Sequence, residues 1–448
     1  MKFSFDKYLL GSLCLFGVAS FLSIAAANIF LGISTLLYLI LAIKHKKLSI
    51  SDNYISYLKV VGIFTLAVFF SALFSGNIVY GLKGWAGLCI WRFMPFVIVI
   101  SLLDDKLKAD KIFKAISFGF LLDCLYAIYQ GVFIFNLNIY GRSAGFVGGP
   151  MTIAGWACII LPVLLILIYR RDISKGFHWF YVISFIIFSL ALVFNATRGA
   201  WLALAIVLPI VSMPFILRSK KAFIAFVSVL LVLGIAIVNN PLLMNRVNSI
   251  TNTETDWSNA SRFVIWNTTY DIFKENPVFG IGFGQFKQEY RSRFIVSEDL
   301  KKEVAQYDNY VDNKKANKLT KEQKEYSNEK LQSLWRAKDK VSKINHLKGL
   351  QHAHNNIMQM LGENGLVGLV GYIAAFGFIL WENIKNYFMN QNPYALMIVG
   401  STLALQLQGL TEYNFGNGAV MKIYWLILAC LIVLANAYNK EKCENKTK

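Results

Sequence analysis

The sequence predicts an all-α integral membrane protein that crosses the bilayer about twelve times. Hydrophobic residues make up 56% of the 448 positions and charged residues only 16%, and the mean hydropathy is +0.48. The apolar residues come in long runs, such as residues 159–169 and 180–194. A helix needs roughly 20 apolar residues to cross the hydrocarbon core. This pattern excludes a soluble globular domain, a disordered chain and a coiled coil.

One long polar segment interrupts the succession of apolar spans and divides the chain. The predicted spans have approximate centres at Phe16, Leu36, Ala67, Met94, Leu122, Leu161, Ile186, Ile206 and Val229 before this segment, and at Gly371, Leu403 and Ile427 after it. We therefore assign residues 1–238 to nine N-terminal transmembrane helices and 239–352 to a large loop. Residues 353–437 hold three C-terminal transmembrane helices, and residues 438–448 form a tail.

The loops between the spans alternate between rich and poor in cations, which predicts the orientation of the chain. Multi-pass membrane proteins retain lysine and arginine in their short cytoplasmic loops. The cation-rich set is Lys44, Lys46, Lys47, Lys106, Lys108, Lys111, Arg170, Arg171, Lys175, Arg218, Lys220, Lys221, Lys385 and the tail. Both termini are then cytoplasmic, and the large loop is extracytoplasmic. Because orientation accounts for much of the formal charge of +19, no nucleic-acid partner is expected.

The large loop has two parts of different composition. Residues 257–286 carry aromatic side chains at helical spacing, followed by Asn276-Pro277 and several glycines. Residues 308–348 are rich in lysine, glutamate, asparagine and glutamine. The second part predicts exposed helix, arranged as a helical hairpin.

Three arginines stand out because they lie on the side where cations are scarce: Arg142, Arg198 and Arg262. The planar guanidinium group suits bidentate contacts with phosphate. We expect Arg198 and Arg262 to bind an anionic ligand together, with Arg142 as a further contact. The alternative for each is contact with lipid headgroups at the membrane surface. Arg92 is predicted inside the fourth span, where it either supports the site or ties helices together.

His354 is predicted at the start of the tenth span, on the same side as these arginines. An imidazole can accept a hydroxyl proton near neutral pH, which arginine and lysine cannot do. Glu363 and Glu412 are rival bases. On a helix, residues two apart point in different directions, so we expect His352 and His354 to diverge and to form a poor metal pair. No Walker A, HExxH or GxSxG motif is present, and no cofactor or metal is expected.

These residues resemble the marks of a known family. The stretch His354-Asn355, nine residues and then Gly365-Leu-Val-Gly368 resembles the H[NSQ]x9Gxx[GTY] motif of O-antigen ligases. Two further stretches are similar to the other marks of that superfamily. One is Arg198 in Thr-Arg-Gly-Ala-Trp, and the other is Arg262 followed by Trp266, Asn276-Pro277 and Gly280-Ile-Gly-Phe-Gly284. The superfamily also contains O-antigen polymerases and protein O-oligosaccharyltransferases.

The resemblance implies a metal-independent glycosyltransferase in the bacterial inner membrane, with its active site facing the periplasm. It would transfer O-antigen from undecaprenyl diphosphate to a sugar hydroxyl of lipid A–core. Arg198 and Arg262 would clamp the diphosphate and His354 would deprotonate the acceptor. The further substrate contacts that it implies are Arg142, Arg92, Asn355, Gly365 and Gly368.

Three alternatives stay open at this point. The same motifs fit a polymerase or a protein O-oligosaccharyltransferase, since the acceptor is not written in them. A transporter would use the arginines to line a substrate path, but transporters more often show two related halves and ionisable groups at mid-membrane. A metal site built on the histidines is the third alternative.

Overall fold

The computed structural model describes residues 5–45, 50–170, 172–217, 224, 238–250 and 256–447, and these contain helices and connections but no strand. The predicted all-α fold is confirmed. Before the large loop lie α1 (Phe5–Leu22), α2 (Ile24–His45), α3 (Asp52–Leu73), α4 (Ile78–Trp85), α5 (Met94–Leu102), α6 (Lys106–Tyr129), α7 (Pro150–Tyr169), α8 (Lys175–Asn195) and α9 (Arg198–Ile216).

The large loop also contains helices, and three further helices follow it. The loop contains α10 (Pro241–Asn248), α11 (Trp257–Glu275), α12 (Phe286–Ser292), α13 (Glu298–Lys315), α14 (Lys321–Lys324) and α15 (Asn328–Gly349). The C-terminal helices are α16 (Asn356–Asn390), α17 (Pro393–Gln408) and α18 (Gly418–Thr447). A π-helical turn at Ala86–Trp91 leads from α4 towards α5, and another at Gln130–Ile134 extends α6.

Ten helical segments of the described chain are long and apolar enough to cross a membrane, which makes this a multi-pass membrane protein. The predicted span near Leu403 corresponds to α17, which has 16 residues and is too short to count among the ten. The predicted span near Val229 lies outside the described residues. The number twelve therefore stays a prediction.

The centre of the bundle is occupied by α7 and α18. In these spans 83% and 89% of the residues are buried, against 28% in α2 and in α8. A helix that is apolar on all sides is expected at such a central position. The outer helices instead expose large apolar side chains such as Ile29, Leu36 and Ile186, which suit contact with lipid.

A break in α16 joins the membrane helices to the large loop. Gly365 has φ 59° and ψ −159°, and the backbone amides of the next two residues donate to the large loop instead of to carbonyls of α16. Leu366 N–H donates to Pro277 O (2.9 Å), and Gly282 N–H donates to the Glu363 carbonyl (2.9 Å). A Cβ on Gly365 would lie 2.4 Å from the Val278 carbonyl oxygen, so this contact requires glycine.

The predicted helical hairpin in the second part of the loop is present. It is formed by α13 and α15, which pack together and are linked by an ion pair between Asp308 and Lys338. Leu334 and Ala337 of α15 are buried. The hairpin begins at Glu298, ahead of the Lys-rich stretch from which it is predicted.

Candidate active site

Arginines from four elements surround one cavity of about 150 Å³ at one end of the helix bundle. They come from the connection before α7, from the start of α9, from α10 and from α11. The four are Arg142, Arg198, Arg246 and Arg262. We call this space the arginine cavity. Thr411 and Glu412, in the connection between α17 and α18, also belong to its lining.

Arg198 is the most firmly held of the four. Its side chain is only 9% exposed. The Nη1 atom donates to Asp256 Oδ2 (2.9 Å) and to the carbonyl (2.6 Å) and Oγ (2.9 Å) of Ser249. Asp256 in turn caps α11 by accepting from Asn259 N–H (3.0 Å). Arg198 thus fastens the end of α10 and the start of α11 to the membrane helices.

Arg246 also lines the arginine cavity, although it is not among the site residues predicted from the sequence. Its Nε and Nη2 atoms both donate to the carbonyl oxygen of Ala196, at 3.2 and 3.1 Å. Ala196 ends α8 in a left-handed conformation with φ 54°, which turns its carbonyl towards the loop. A search for every arginine close to a predicted membrane boundary on the cation-poor side would have found this residue.

Arg142 approaches the cavity from the connection between α6 and α7. Its Nη2 atom donates to Thr197 Oγ1 (3.1 Å). The connection is held by Asn195, whose amide donates to the carbonyls of Ser143 (2.9 Å) and Pro150 (2.7 Å). The position of Arg142 is therefore fixed by polar contacts with the end of α8.

Arg262 differs from the other three because its guanidinium makes no hydrogen bond or ion pair with the residues that the structure describes. It lies in the second turn of α11 and is partly buried. Burial lowers its pKa, and Arg198 and Arg246 repel its charge, although Glu412 opposes the shift. The described residues thus leave its five N–H donors unoccupied, and a ligand in the cavity could accept from them.

The electrostatics of the arginine cavity favour an anion. Burial lowers the pKa of Arg142 and of Arg246, and repulsion by the neighbouring arginines adds to the shift. All four guanidinium groups stay charged at neutral pH because arginine titrates far above it. Among the described residues, Asp256 and Glu412 oppose them, which leaves a formal excess of two positive charges within that part of the chain. A dianionic group would relieve this repulsion.

His354 forms a dyad with Glu412 at the edge of the arginine cavity. Its Nδ1 atom lies 3.0 Å from Glu412 Oε2. Burial raises the pKa of Glu412, but the His354 hydrogen bond and nearby cationic groups outweigh it, so the pKa lies below the usual value. The carboxylate is therefore an acceptor, and Nδ1 must carry the proton. This leaves the lone pair of His354 on Nε2, where it can accept another proton.

The turn that carries His354 is held on both sides. Trp266 of α11 donates from Nε1 to the Ala353 carbonyl (2.9 Å), and Ala353 N–H donates to Gln359 Oε1 (2.7 Å). The start of α16 is tied to the end of α17, because Asn356 N–H donates to the carbonyl of Gly409 (2.7 Å). This contact brings the connection that carries Glu412 beside the histidines.

The expectation that His352 and His354 diverge is wrong. Their ring centroids are 4.2 Å apart, and His352 Nε2 lies 3.7 Å from Glu412 Oε1. Both residues precede α16, so helical geometry does not apply to them, and His354 has a left-handed φ of 48°. Burial lowers the pKa of His352 to about 4. His352 is therefore neutral at physiological pH.

The same three side chains are the metal-ligand cluster that the structure offers among its described residues. One ligand atom from each of His352, His354 and Glu412 falls within 4.8 Å of the others. Two features oppose a divalent cation there. His352 Nδ1 accepts from His354 N–H (3.3 Å), so the neutral ring carries its proton on Nε2, the nitrogen that faces Glu412. The positive excess of the neighbouring arginine cavity also repels a cation. The arrangement fits a proton-transfer dyad better than a metal centre.

The remaining predicted substrate contacts lie away from the lining of the arginine cavity. Asn355 caps α16 by accepting from the amides of Ile357 (2.8 Å) and Met358 (3.1 Å). Gly365 lies at the break in α16, and Gly368 lies one turn further along. Arg92 donates from Nη1 to the Phe415 carbonyl (2.8 Å), which ties the fourth span to the connection before α18.

Comparison with known proteins tests the predicted family. A family model described as O-antigen ligase matches residues 183–313. This match confirms the predicted resemblance to O-antigen ligases over that segment. The matched segment contains Arg198, Arg246 and Arg262, whereas Arg142, His354 and Glu412 lie outside it. The family match indicates glycosyltransferase activity of the O-antigen ligase and polymerase superfamily. No curated protein matches the chain.

Proposed function

We propose that the protein is an O-antigen ligase that transfers O-antigen polysaccharide from undecaprenyl diphosphate to a sugar hydroxyl of lipid A–core. The observation that carries this proposal is the shared position of Glu412. This residue lines the arginine cavity and also binds His354. A charge-binding site and a proton acceptor therefore lie side by side, as transfer from a lipid diphosphate to a hydroxyl requires.

The arginine cavity would hold the diphosphate of the donor. A diphosphate diester carries two negative charges, which match the excess of two positive charges among the described residues of the cavity. Arg262 would make the direct contact, because its guanidinium is not engaged by described residues. Arg198 would add charge and keep α10 and α11 in place through Asp256 and Ser249. Arg142 and Arg246 would contact the outer phosphate oxygens.

The dyad would activate the acceptor. The His354 Nε2 atom would take the proton from the acceptor hydroxyl while its oxygen attacks the anomeric carbon of the donor sugar. The bond between this carbon and the diphosphate oxygen would break, and its electron pair would stay on the diphosphate. The arginines would stabilise this charge. Glu412 would stabilise the imidazolium and hold the ring in the required tautomer.

Every residue of this site lies either in the large loop or at the cation-poor ends of the spans, so the proposal places the site on the periplasmic face of the inner membrane. The donor brings its own leaving group, and the arginines supply the positive charge that a metal ion would otherwise provide. We therefore propose a reaction that needs neither ATP nor a metal ion.

Reconstitution of the purified protein with carrier-linked glycan and lipid A–core tests the proposal. Transfer should move the lipid A–core band on a gel by the mass of the glycan, with and without chelator. Longer carrier-linked chains without this shift would indicate a polymerase. Labelling of an added acceptor protein would indicate an O-oligosaccharyltransferase. Flux of free glycan across the vesicle membrane without any new covalent bond would indicate a transporter.

A further inference from the structure

A second cationic cavity, of about 270 Å³, lies at the same end of the bundle as the arginine cavity. Its lining comes from the end of α1, the start of α2, the connection before α7 and the start of α18. The residues that matter for the argument are Ile24, Gly148, Thr152, Asn417, Gly418 and Lys422. We call this space the Lys422 cavity. None of its lining residues is acidic.

Lys422 is a buried cation without a carboxylate partner in the described part of the chain. The residue is only 8% exposed, and its Nζ atom donates to Asn28 Oδ1 (2.7 Å). It lies four residues after Gly418, about 6 Å along α18 at 1.5 Å per residue. A charged side chain inside a membrane span is costly and usually marks a functional site.

A second cation adjoins the same cavity. The Arg92 guanidinium packs against Gly418, where a Cβ would lie 3.3 Å from Arg92 Nε. Its one hydrogen-bond acceptor among the described residues is the Phe415 carbonyl, which bears no charge. Two cations therefore face this region, and no ion pair of the described residues neutralises either of them.

The Lys422 cavity is open towards the lipid side of the bundle. Ile24 is 53% exposed, and Asn28 is exposed on the same helix, whose span is mostly unburied. Thr152 Oγ1 accepts from Asn417 Nδ2 (3.0 Å), and its own hydroxyl proton has no acceptor among the described residues, so it can donate to a ligand. A ligand that enters here from the bilayer would meet two cations and a hydroxyl donor at interfacial depth.

We propose that the Lys422 cavity binds the phosphate headgroup of an anionic membrane lipid. Lys422 and Arg92 would neutralise the phosphate, the Thr152 hydroxyl would donate to it, and the acyl chains would lie against α2. The lipid side of α2 favours a lipid over a soluble phosphate as the source of this group. The inference concerns lipid binding alone and does not depend on the transfer reaction.

The test is native mass spectrometry of the full-length protein in detergent, titrated with phosphatidylglycerol or phosphatidylcholine. Phosphatidylglycerol should bind selectively, and Lys422→Gln should weaken it roughly fivefold or more, because one lysine near anionic lipid contributes about 1 kcal/mol. Lys83→Gln is the matched control. It removes an exposed cation at the end of α4, away from the cavity lining, and should bind the lipid as the wild type does.

A second variant separates loss of binding from loss of folding. Ile24→Trp fills the opening of the cavity but keeps both cations, and it should weaken phosphatidylglycerol while thermal unfolding in phosphatidylcholine stays unchanged. Equal affinity for the two lipids in the wild type, or unchanged phosphatidylglycerol affinity in both variants, would overturn the proposal. Displacement of bound phosphatidylglycerol by millimolar inorganic phosphate would overturn the assignment to a lipid.

Discussion

The arginine cavity and the His354–Glu412 dyad are adjacent regions with opposite electrostatic character. The cavity gathers four like charges and leaves a positive excess among the described residues. Burial and repulsion by neighbouring arginines lower the pKa values of Arg142, Arg246 and Arg262. The dyad pairs a carboxylate with an imidazole at 3.0 Å and neutralises charge locally. The difference indicates a division of work, in which one region binds an anion and the other transfers a proton. Glu412 belongs to both and is the point at which the two roles can be separated.

Removal of the proton acceptor should have the largest effect on transfer. His354→Ala should slow transfer by roughly 10²–10⁴-fold, the range for a positioned general base, and leave binding of the carrier lipid nearly intact. The measurement is the rate of the gel shift together with a carrier-lipid titration. His346→Ala, an exposed histidine of the hairpin, is the control. Parallel loss of carrier binding would contradict the separation of roles.

Substitution of Arg262, whose guanidinium makes no hydrogen bond or ion pair with described residues, should impair both carrier-lipid binding and transfer. Arg262→Lys keeps the charge but loses the fork of donors, and it should reduce transfer by roughly 10²-fold, as loss of one oxyanion donor does. Its thermal unfolding should match the wild type, since Arg262 makes no hydrogen bond to described residues.

Arg198 provides the contrast within the same cavity. Arg198→Ala should lower transfer and also destabilise the fold by about 1.5–3 kcal/mol, because the charged hydrogen bonds to Asp256 and Ser249 are lost. Thermal unfolding of purified variants measures the difference. Wild-type transfer in both folded variants would show that the arginines are membrane-surface anchors.

Glu412→Gln should move the two activities in opposite directions. Loss of the negative charge increases the positive excess of the arginine cavity, so the carrier lipid should bind more tightly. Transfer should nevertheless fall, because the imidazolium of His354 loses its counter-charge. Carrier-lipid titration and the transfer rate are measured on one preparation. A fall in both would indicate that Glu412 serves the structure alone.

The smallest expected effect concerns the pH dependence of the free energy of unfolding. The pKa of His352 is lowered from 6.5 to about 4, chiefly by burial. Between these two pH values the unfolded chain therefore binds more protons than the folded chain. Stability should therefore decrease as the pH falls from about 6.5 towards 4, and His352→Gln should flatten this part of the profile. The lowered pKa of Glu412 acts in the same direction but at lower pH. An unchanged profile in His352→Gln would show that His352 is accessible to protons in the folded state.

The sequence predicted the helical class and much of the span order because hydropathy is additive over a local window. Ten of the predicted spans coincide with apolar helices. It also singled out Arg142, Arg198, Arg262 and His354, since each is a polar residue in an otherwise cation-poor region. It passed over Arg246, which lies in a polar segment where an arginine carries no distinguishing signal.

The pairing of side chains could not be predicted in the same way. Glu412 is one of two rival carboxylates in the sequence, and only the contact between α16 and α17 places it against His354. The expected divergence of His352 and His354 failed because both precede α16 and His354 is left-handed. Trp266 and Gln359 hold Ala353, the residue between the two histidines.

The sequence by itself determined that this chain is a multi-pass helical membrane protein whose motifs resemble those of O-antigen ligases, because apolar length and short motifs are local properties. Tertiary structure alone decided which charges share one cavity and which carboxylate orients the histidine. These groups come from elements up to about 270 residues apart in the chain. Their proximity depends on how α9, α11, α16 and α17 pack, which no local window of sequence records.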